Sequence, residues 1–113
     1  MNRIISTIIF LSFSFTNAYS QKVVRNYFHD HTFSEEFVIN QNGFKHGFYK
    51  EYYGNKMPKI IGQYKKDLME GEWKYFKDDG KPYKIETYKD GKHNGLWREW
   101  NIDNNYRTIL VFS

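Results

Sequence analysis

Histidines are the residues of this sequence whose types and spacing could do chemistry. His29 and His31 flank Asp30, and neighbouring imidazoles of this kind can converge on a metal ion. His46 stands before a glycine and His93 stands between two glycines, where an imidazole could act as a general base. Whether any of these histidines belongs to a metal or catalytic site depends on the secondary-structure elements that position it.

Glycine spacing predicts a repeated unit around two of these histidines. Gly47, Gly71 and Gly95 are 24 residues apart. If each unit contains two strands, equivalent residues lie ~9.5 Å apart. His46 and His93 are then ~19 Å apart, whereas zinc ligands lie about 2 Å from the metal. The two histidines therefore cannot share one metal ion, and we interpret them as turn residues.

The same geometry separates the other candidates for catalysis. His46, Glu70 and Asn94 share one position of the repeat, so each is ~10 Å from the next and beyond hydrogen-bond reach. His29 and His31 have only Glu35 and Glu36 nearby in sequence as further ligands. We therefore predict no catalytic residue, no metal site and no cofactor, and we predict that the protein is not an enzyme.

Several positions repeat with the same period. Two rows are aromatic, one row is cationic, and a further row is apolar in each unit. The candidate binding residues are the two aromatic rows and the cationic row: Tyr49, Trp73 and Trp97; Tyr52, Phe76 and Trp100; and Lys50, Lys74 and Arg98. The apolar row is Phe37, Ile61, Ile85 and Ile109.

Turn residues divide each unit into two strands. Small polar clusters such as 53–56, 78–81 and 89–91 separate runs rich in Tyr, Phe, Trp and Ile, which predicts a β-meander without helix. Pro58 and Pro82 stand next to these turns, where a sheet tolerates proline. The two aromatic rows are three residues apart, whereas strict alternation needs an even spacing. A bulge, a strong twist or an early strand end would account for this.

Two segments resemble the bacterial variant of the MORN repeat. They are YKKDLMEGEWKYF at 64–76 and YKDGKHNGLWREW at 88–100, while the first copy has Asn40 where the pattern has tyrosine. The resemblance implies a single-layer antiparallel sheet of successive hairpins over residues 37–113. The units would span about 37–60, 61–84 and 85–108, with a partial unit at 109–113. Family members mostly act as scaffolds or binding surfaces, and some bacterial ones carry an antitoxin label.

The first twenty residues have the layout of a secretory signal peptide. Arg3 is followed by an apolar run over 4–15 and by small residues before a predicted cut after Ser20. Twelve residues span only ~18 Å, which is too short for a membrane anchor. We therefore expect a secreted or periplasmic protein, with an N-terminal cap segment at 21–36 and, because there is no cysteine, no disulfide.

Charge and composition leave three classes of function. The net charge of +4, which falls to +3 without Arg3, argues against nucleic acid as a partner. We expect a protein-binding or scaffold module. It should also self-associate edge to edge or face to face, because the apolar segment 107–112 would form a free edge unless segment 21–36 covers it. The alternatives are recognition of a surface glycan or anionic lipid by the aromatic and cationic rows, and neutralisation of an exported toxin.

Overall fold

The computed structural model describes residues 20–100 and 106–111, and these form one antiparallel sheet of ten strands without any helix. The strands are β1 Lys22–Tyr27, β2 Phe33–Ile39, β3 Lys45–Tyr52, β4 Pro58–Lys65, β5 Leu68–Met69, β6 Gly71–Phe76, β7 Pro82–Lys89, β8 Lys92–His93, β9 Gly95–Trp100 and β10 Tyr106–Val111. Within this part of the chain, no helix could cross a membrane. The predicted signal peptide lies outside the described residues, apart from Ser20.

Strands that follow one another in the chain are neighbours in the sheet. The order is β10-β9-β7-β6-β4-β3-β2-β1, with the short strands β5 and β8 paired to β4 and β7. The prediction of an all-β antiparallel meander is confirmed. β1 lies at the end of the sheet opposite β10, so the N-terminal segment does not cover the edge of the last strand.

Five-residue loops join the longer hairpins in a constant way. In the loops that follow β1, β3 and β6, a left-handed residue closes the turn: His31, Lys56 and Gly80. The carboxylate or amide oxygen of the preceding residue accepts the backbone N–H two positions on, as Asn55 does from Met57. Pro58 and Pro82 then begin β4 and β7, which confirms that both prolines stand next to turns.

Two-residue turns join the short strands. Lys66-Asp67 and Asp90-Gly91 have positive φ at both positions, the type I′ geometry that suits the twist of a hairpin. The first turn is held by the start of β3, because Asp67 N–H donates to the Lys45 carbonyl at 2.8 Å. The second is held in the same way, since Gly91 N–H donates to the Met69 carbonyl at 2.9 Å.

Strand register assigns the repeated side chains to two faces of the sheet. Lys50 and Lys74 both pair with Ile61, and Lys74 and Arg98 both pair with Ile85, so these five side chains share what we call the cation face. Side chains one residue away point to the opposite side. This second side, the ring face, carries Tyr49, Trp73 and Trp97.

The odd spacing of the aromatic rows follows from these two faces. Tyr49 lies on the ring face and Tyr52 on the cation face, so each row belongs to a different side of the sheet. β-Bulges are also present, with Lys59 and Tyr83 as the residues that the register skips. Phe37 pairs with Tyr49 on the ring face, whereas Ile61 lies on the cation face, so Phe37 is not equivalent to Ile61 in the sheet.

The sheet has a thin core. Among the described residues, the buried apolar side chains are Val38, Tyr49 and Trp73, and none is completely buried. A single layer can bury a side chain only beneath its neighbours on the same face, which explains why large rings dominate. The ring face therefore supplies most of the packing in this sheet.

Candidate binding surface

The nine predicted binding residues divide between the two faces. Tyr49, Trp73 and Trp97 belong to the ring face, and the other six belong to the cation face: Tyr52, Phe76, Trp100, Lys50, Lys74 and Arg98. A flat partner can therefore contact only one of these two sets at a time. The two sets also differ in exposure.

Packing between neighbouring aromatic side chains buries most of the ring face. Trp73 is 3% exposed and stacks on Tyr49, with ring centroids 5.4 Å apart. Tyr64 packs edge-on against both rings, at 5.5 Å from Tyr49 and 5.1 Å from Trp73. Trp73 Nε1 donates to the Gln63 carbonyl at 3.1 Å, which fixes the indole. Tyr49 and Trp73 therefore form core, and neither ring is free to stack on a partner.

A glycine makes this arrangement possible. The Trp73 indole lies directly on Gly62, and a Cβ at Gly62 would come within 2.2 Å of the indole. Gly62 faces Tyr49 across the strand pair, so the indole fills the space that a side chain would otherwise occupy.

Carboxylates surround the tyrosine hydroxyls of the ring face. The Tyr49 hydroxyl lies 2.8 Å from Glu35 Oε1 and 3.0 Å from Glu51 Oε1. Burial, together with these two carboxylates, raises the pKa of Tyr49. Lys59 approaches Glu51 at 3.4 Å and balances part of this negative charge. The arrangement keeps Tyr49 protonated and locks the two glutamates around it.

Glu86 is the centre of a second cluster, which the sequence analysis missed. It is 4% exposed, and it accepts a hydrogen bond from the Tyr88 hydroxyl at 2.8 Å. Lys84 Nζ and His93 Nε2 each lie 3.5 Å from Glu86 Oε2. His93 Nε2 also lies 2.8 Å from the Tyr88 hydroxyl, and its ring lies 4.8 Å from Trp97.

The cluster corrects the interpretation of His93 as a simple turn residue. Its ring packs between Tyr88 and Trp97, whereas the equivalent position one unit earlier holds Met69. The signal in the sequence was the alternation of Lys84, Glu86 and Tyr88, which places all three on one face of β7. The repeat spacing did not predict the contact between the Tyr88 hydroxyl and the His93 imidazole.

Tyr88 is nevertheless poorly suited to nucleophilic chemistry. Burial, followed by the hydrogen bond to Glu86, raises its pKa to about 12. A lowered pKa is one way to activate a nucleophile, and Tyr88 has the opposite shift, although His93 Nε2 lies 2.8 Å from its hydroxyl. Burial and Glu86 raise the pKa of Tyr75 as well, so both hydroxyls remain protonated donors.

His46 and Glu70 do hold turns, as their shared repeat position indicated. His46 Nδ1 accepts the Lys66 backbone N–H at 3.1 Å. Glu70 Oε1 accepts the equivalent Asp90 N–H, 24 residues later, at 3.0 Å. Two different side chains therefore supply the same acceptor to successive turns.

The cation face is open by comparison. In the strands described up to Trp100, all the exposed large apolar side chains lie on this face: Val23, Tyr27, Phe33, Phe48, Leu68 and Leu96. They are 37–54% exposed. The other exposed apolar side chains of the described residues, Phe28, Phe44 and Met57, belong to loops.

Positive charge accompanies these apolar side chains. The cationic residues of the described strands on this face are Arg25, Lys50, Lys65, Lys74, Lys89, Lys92 and Arg98. The acidic ones are Glu36, which pairs with Arg25 at 3.1 Å, and Glu72, which lies 4.0 Å from Lys74. The face therefore carries excess positive charge beside exposed apolar area.

No protein family, curated protein or solved structure matches this chain. Among the described residues, no group of three His, Cys, Asp or Glu side chains is placed to hold a metal ion. The resemblance to MORN repeats therefore stays a prediction.

Proposed function

We propose that this chain is an exported, non-catalytic repeat protein of MORN type that binds another protein through its cation face. The observation that carries the proposal is the confinement of exposed apolar strand residues to that face. Exposed apolar patches rimmed by polar groups mark interaction surfaces. Phe48 and Leu96 are examples, at 37% and 42% exposure.

The positive charge of the cation face indicates what kind of partner surface fits it. A surface that covers Lys50, Lys74 and Arg98 must offset three positive charges on one side of the sheet. An apolar patch bordered by carboxylates would do so, because opposite charges across an interface favour encounter and set register. The ring face is less suited to binding, since Tyr49 and Trp73 are buried.

Affinity purification with matched variants tests this proposal. The double variant Phe48→Ser/Leu96→Ser removes apolar area from the cation face, and Phe44→Ser, in a loop and 44% exposed, is the control. We expect a protein that co-purifies from the native envelope with wild type and with Phe44→Ser, but is lost with the double variant. A partner retained by all three proteins, or the absence of any partner, would contradict the proposal.

The second candidate function is recognition of a surface glycan or anionic lipid. Seven cations on one face favour it, together with Tyr52, Phe76 and Trp100 on the same side. Sedimentation with vesicles that contain anionic lipid should then depend on Lys50, Lys74 and Arg98, and should weaken steeply with salt. Equal sedimentation with neutral vesicles would exclude the charge-based form of this candidate.

An antitoxin role is the third candidate and follows only from the family resemblance. It requires a toxin outside the cytoplasm, because a neutraliser with a cleaved leader would be exported. Protection of cells that express such a toxin, by the exported protein but not by the Phe48→Ser/Leu96→Ser variant, would support it.

A further inference from the structure

A cleft of about 330 Å³ opens where the first two long hairpins meet. Its lining residues are His31, Thr32, Phe33, Tyr52 and Lys56. Phe33 and Tyr52 belong to strands, and the other three belong to the loops that follow β1 and β3. Small-molecule sites typically occupy about 300–1,000 Å³, so the cleft has room for one or two sugar units.

Aromatic rings form one wall of the cleft. The centroids of Phe33 and Tyr52 are 6.5 Å apart, with their planes inclined by 39°. Phe33 is 43% exposed, and Tyr27 extends the row, with its ring 5.3 Å from Phe33. The Tyr52 hydroxyl donates to Glu36 at 3.0 Å, which fixes the ring. The Arg25 guanidinium lies over part of this wall, with Cζ 5.6 Å from the Phe33 centroid, so a ligand face stacks on the ring area that Arg25 leaves exposed.

The rim opposite the rings is polar and nearly balanced in charge. Lys56 has φ +73°, so its backbone is left-handed in the loop. Hydrogen bonds from Thr32 lower the pKa of Asp30, and the charge of Lys56 adds a smaller effect in the same direction. On the other side, Glu36 is paired with Arg25. Lys56 is the only charged side chain among the residues that line the cleft, whereas Asp30, Glu36 and Arg25 contact the lining residues Thr32, Tyr52 and Phe33. The two positive and two negative groups suit a neutral ligand with several hydroxyls better than an anion.

The next hairpin junction lacks these features. At the next junction, the strand register places Pro58 where the first junction has Phe33, and Phe76 where it has Tyr52. The left-handed loop residue there is Gly80, at the position equivalent to Lys56. One ring and the ammonium group are therefore missing there. The cleft is a feature of the first junction and is not a general consequence of the repeated hairpins.

We infer that this cleft binds a neutral pyranose unit of a glycan. The apolar C–H face of the sugar stacks on Phe33 and Tyr52, and its hydroxyls bond to Lys56, Thr32 and His31. Aromatic walls and convergent polar groups are what a sugar requires, because one side of a pyranose is apolar and its edge carries hydroxyls. Phe33 and Tyr52 belong to the cation face, so the site is part of that face. It does not use Phe48 or Leu96, the two residues that test the protein-binding proposal.

Amide NMR of the purified protein, titrated with single sugars, tests the inference. The probes are cellobiose, lactose, maltose and chitobiose, with sodium glucuronate and inorganic phosphate as anions. We expect at least one neutral disaccharide to shift the amide signals of Thr32, Phe33 and Lys56 in a saturable way. No shift with any disaccharide, or equal shifts with phosphate, would overturn the inference.

Variants separate the cleft from the rest of the face. Phe33→Ala should weaken sugar binding at least tenfold, whereas Phe48→Ala, an exposed ring on the same face, should change it less than twofold. Lys56→Gly keeps the left-handed loop and should weaken binding several-fold, and Lys66→Gly, at another left-handed position, is its control. Equal effects of test and control variants would overturn the inference. The Phe48→Ser/Leu96→Ser variant should retain sugar binding whether or not it retains a protein partner.

Discussion

Gly62 and Glu86 occupy the same place in successive hairpins, since they face Tyr49 and Trp73 across equivalent strand pairs. On Gly62 the Trp73 indole lies flat, and its Nε1 reaches the Gln63 carbonyl. Beside Glu86, by contrast, Trp97 Nε1 is buried without a protein acceptor. Three replacements accompany the change from an apolar stack to a polar cluster: Gly62 by Glu86, Met69 by His93 and Ile60 by Lys84.

Adding one methyl group at Gly62 should destabilise the protein. The new Cβ would lie 2.2–2.6 Å from three atoms of the Trp73 indole, so the ring must move. Overpacking of this kind costs about 1–3 kcal/mol. Urea unfolding of Gly62→Ala, followed by tryptophan fluorescence, measures the loss. Gly54→Ala, where no atom lies within 4 Å of the added Cβ, should stay within about 0.5 kcal/mol of wild type. Equal stability of the two variants would show that the indole does not depend on Gly62.

Raised tyrosine pKa values predict a loss of stability at alkaline pH. Tyr88 has a pKa of about 12 in the folded protein, against about 10 in the unfolded chain. The folded state therefore holds the proton more tightly, and this stabilisation is complete below pH ~10 and is lost as the pH rises toward 12. Tyr88→Phe should show a shallower fall in the free energy of unfolding over that range. Identical slopes for the variant and wild type would contradict the assignment.

At the scale of elements, the turns depend on side chains from the preceding hairpin. Glu70 accepts the Asp90 N–H, as His46 accepts the Lys66 N–H. His46 lies in β3 and Glu70 lies between β5 and β6, so each contact joins a two-residue turn to the preceding hairpin. Adjacent hairpins are therefore connected at their turns as well as along their strands.

Removing the acceptor at Glu70 should loosen the turn at 90–91. Glu70→Ala leaves the Asp90 N–H without its partner and should cost about 1 kcal/mol. Glu70→Gln keeps a carbonyl oxygen in place and should retain most of this stability. Hydrogen exchange of the Asp90 amide, measured with urea unfolding, distinguishes the two. If both variants exchange equally fast, the side chain does not hold the turn.

Local chemistry explains which elements the sequence could predict. Pro58, Pro82 and the type I′ pair Asp90-Gly91 determine strand starts and turns through backbone preferences that act within a few residues. The face on which a side chain lies depends on the strand register. β-Bulges at Lys59 and Tyr83 shift this register by one residue. Neither bulge lies between the two aromatic rows, so simple alternation over their odd spacing separates them. The two rows were placed in one candidate surface because a bulge between them was allowed.

The Glu86 cluster was harder to predict for a related reason. Its members come from β7, β8 and the start of β9, and their meeting depends on how the chain bends at Gly95, which has φ +84°. Repeat spacing relates His93 only to equivalent positions in other units. Tyr88 lies in the same unit as His93 and faces it directly across the β7–β8 pair.

At the scale of the molecule, a one-layer sheet has two edge strands with unpaired backbone groups and two faces that no second layer covers. Its edge strands are β1 and β10. The ring face is filled by its own side chains, whereas the cation face leaves apolar side chains exposed. Association between copies can therefore use an edge or the cation face, and charge distinguishes these two routes.

Edge pairing is the association that we expect. Placing two cation faces together would bring Lys50, Lys74 and Arg98 of each copy into proximity, and like charges oppose this at low salt. Backbone pairing between β1 and β10 of different copies brings together fewer cations, Lys22, Arg25 and Arg107, of which Arg25 is paired with Glu36 in its own chain. It leaves a free edge at each end, so the complex can grow beyond a dimer.

Sedimentation velocity at two salt concentrations tests this expectation. The Debye length falls from about 10 Å at 0.1 M salt to about 3 Å at 1 M. Edge-paired assemblies should keep nearly the same mass at both concentrations, and Leu96→Lys, which adds a charge to the cation face, should leave that mass unchanged. Face-to-face dimers would instead strengthen with salt and dissociate in Leu96→Lys. A single-chain mass at high protein concentration would contradict both routes, and the open edges would then be protected within the monomer itself.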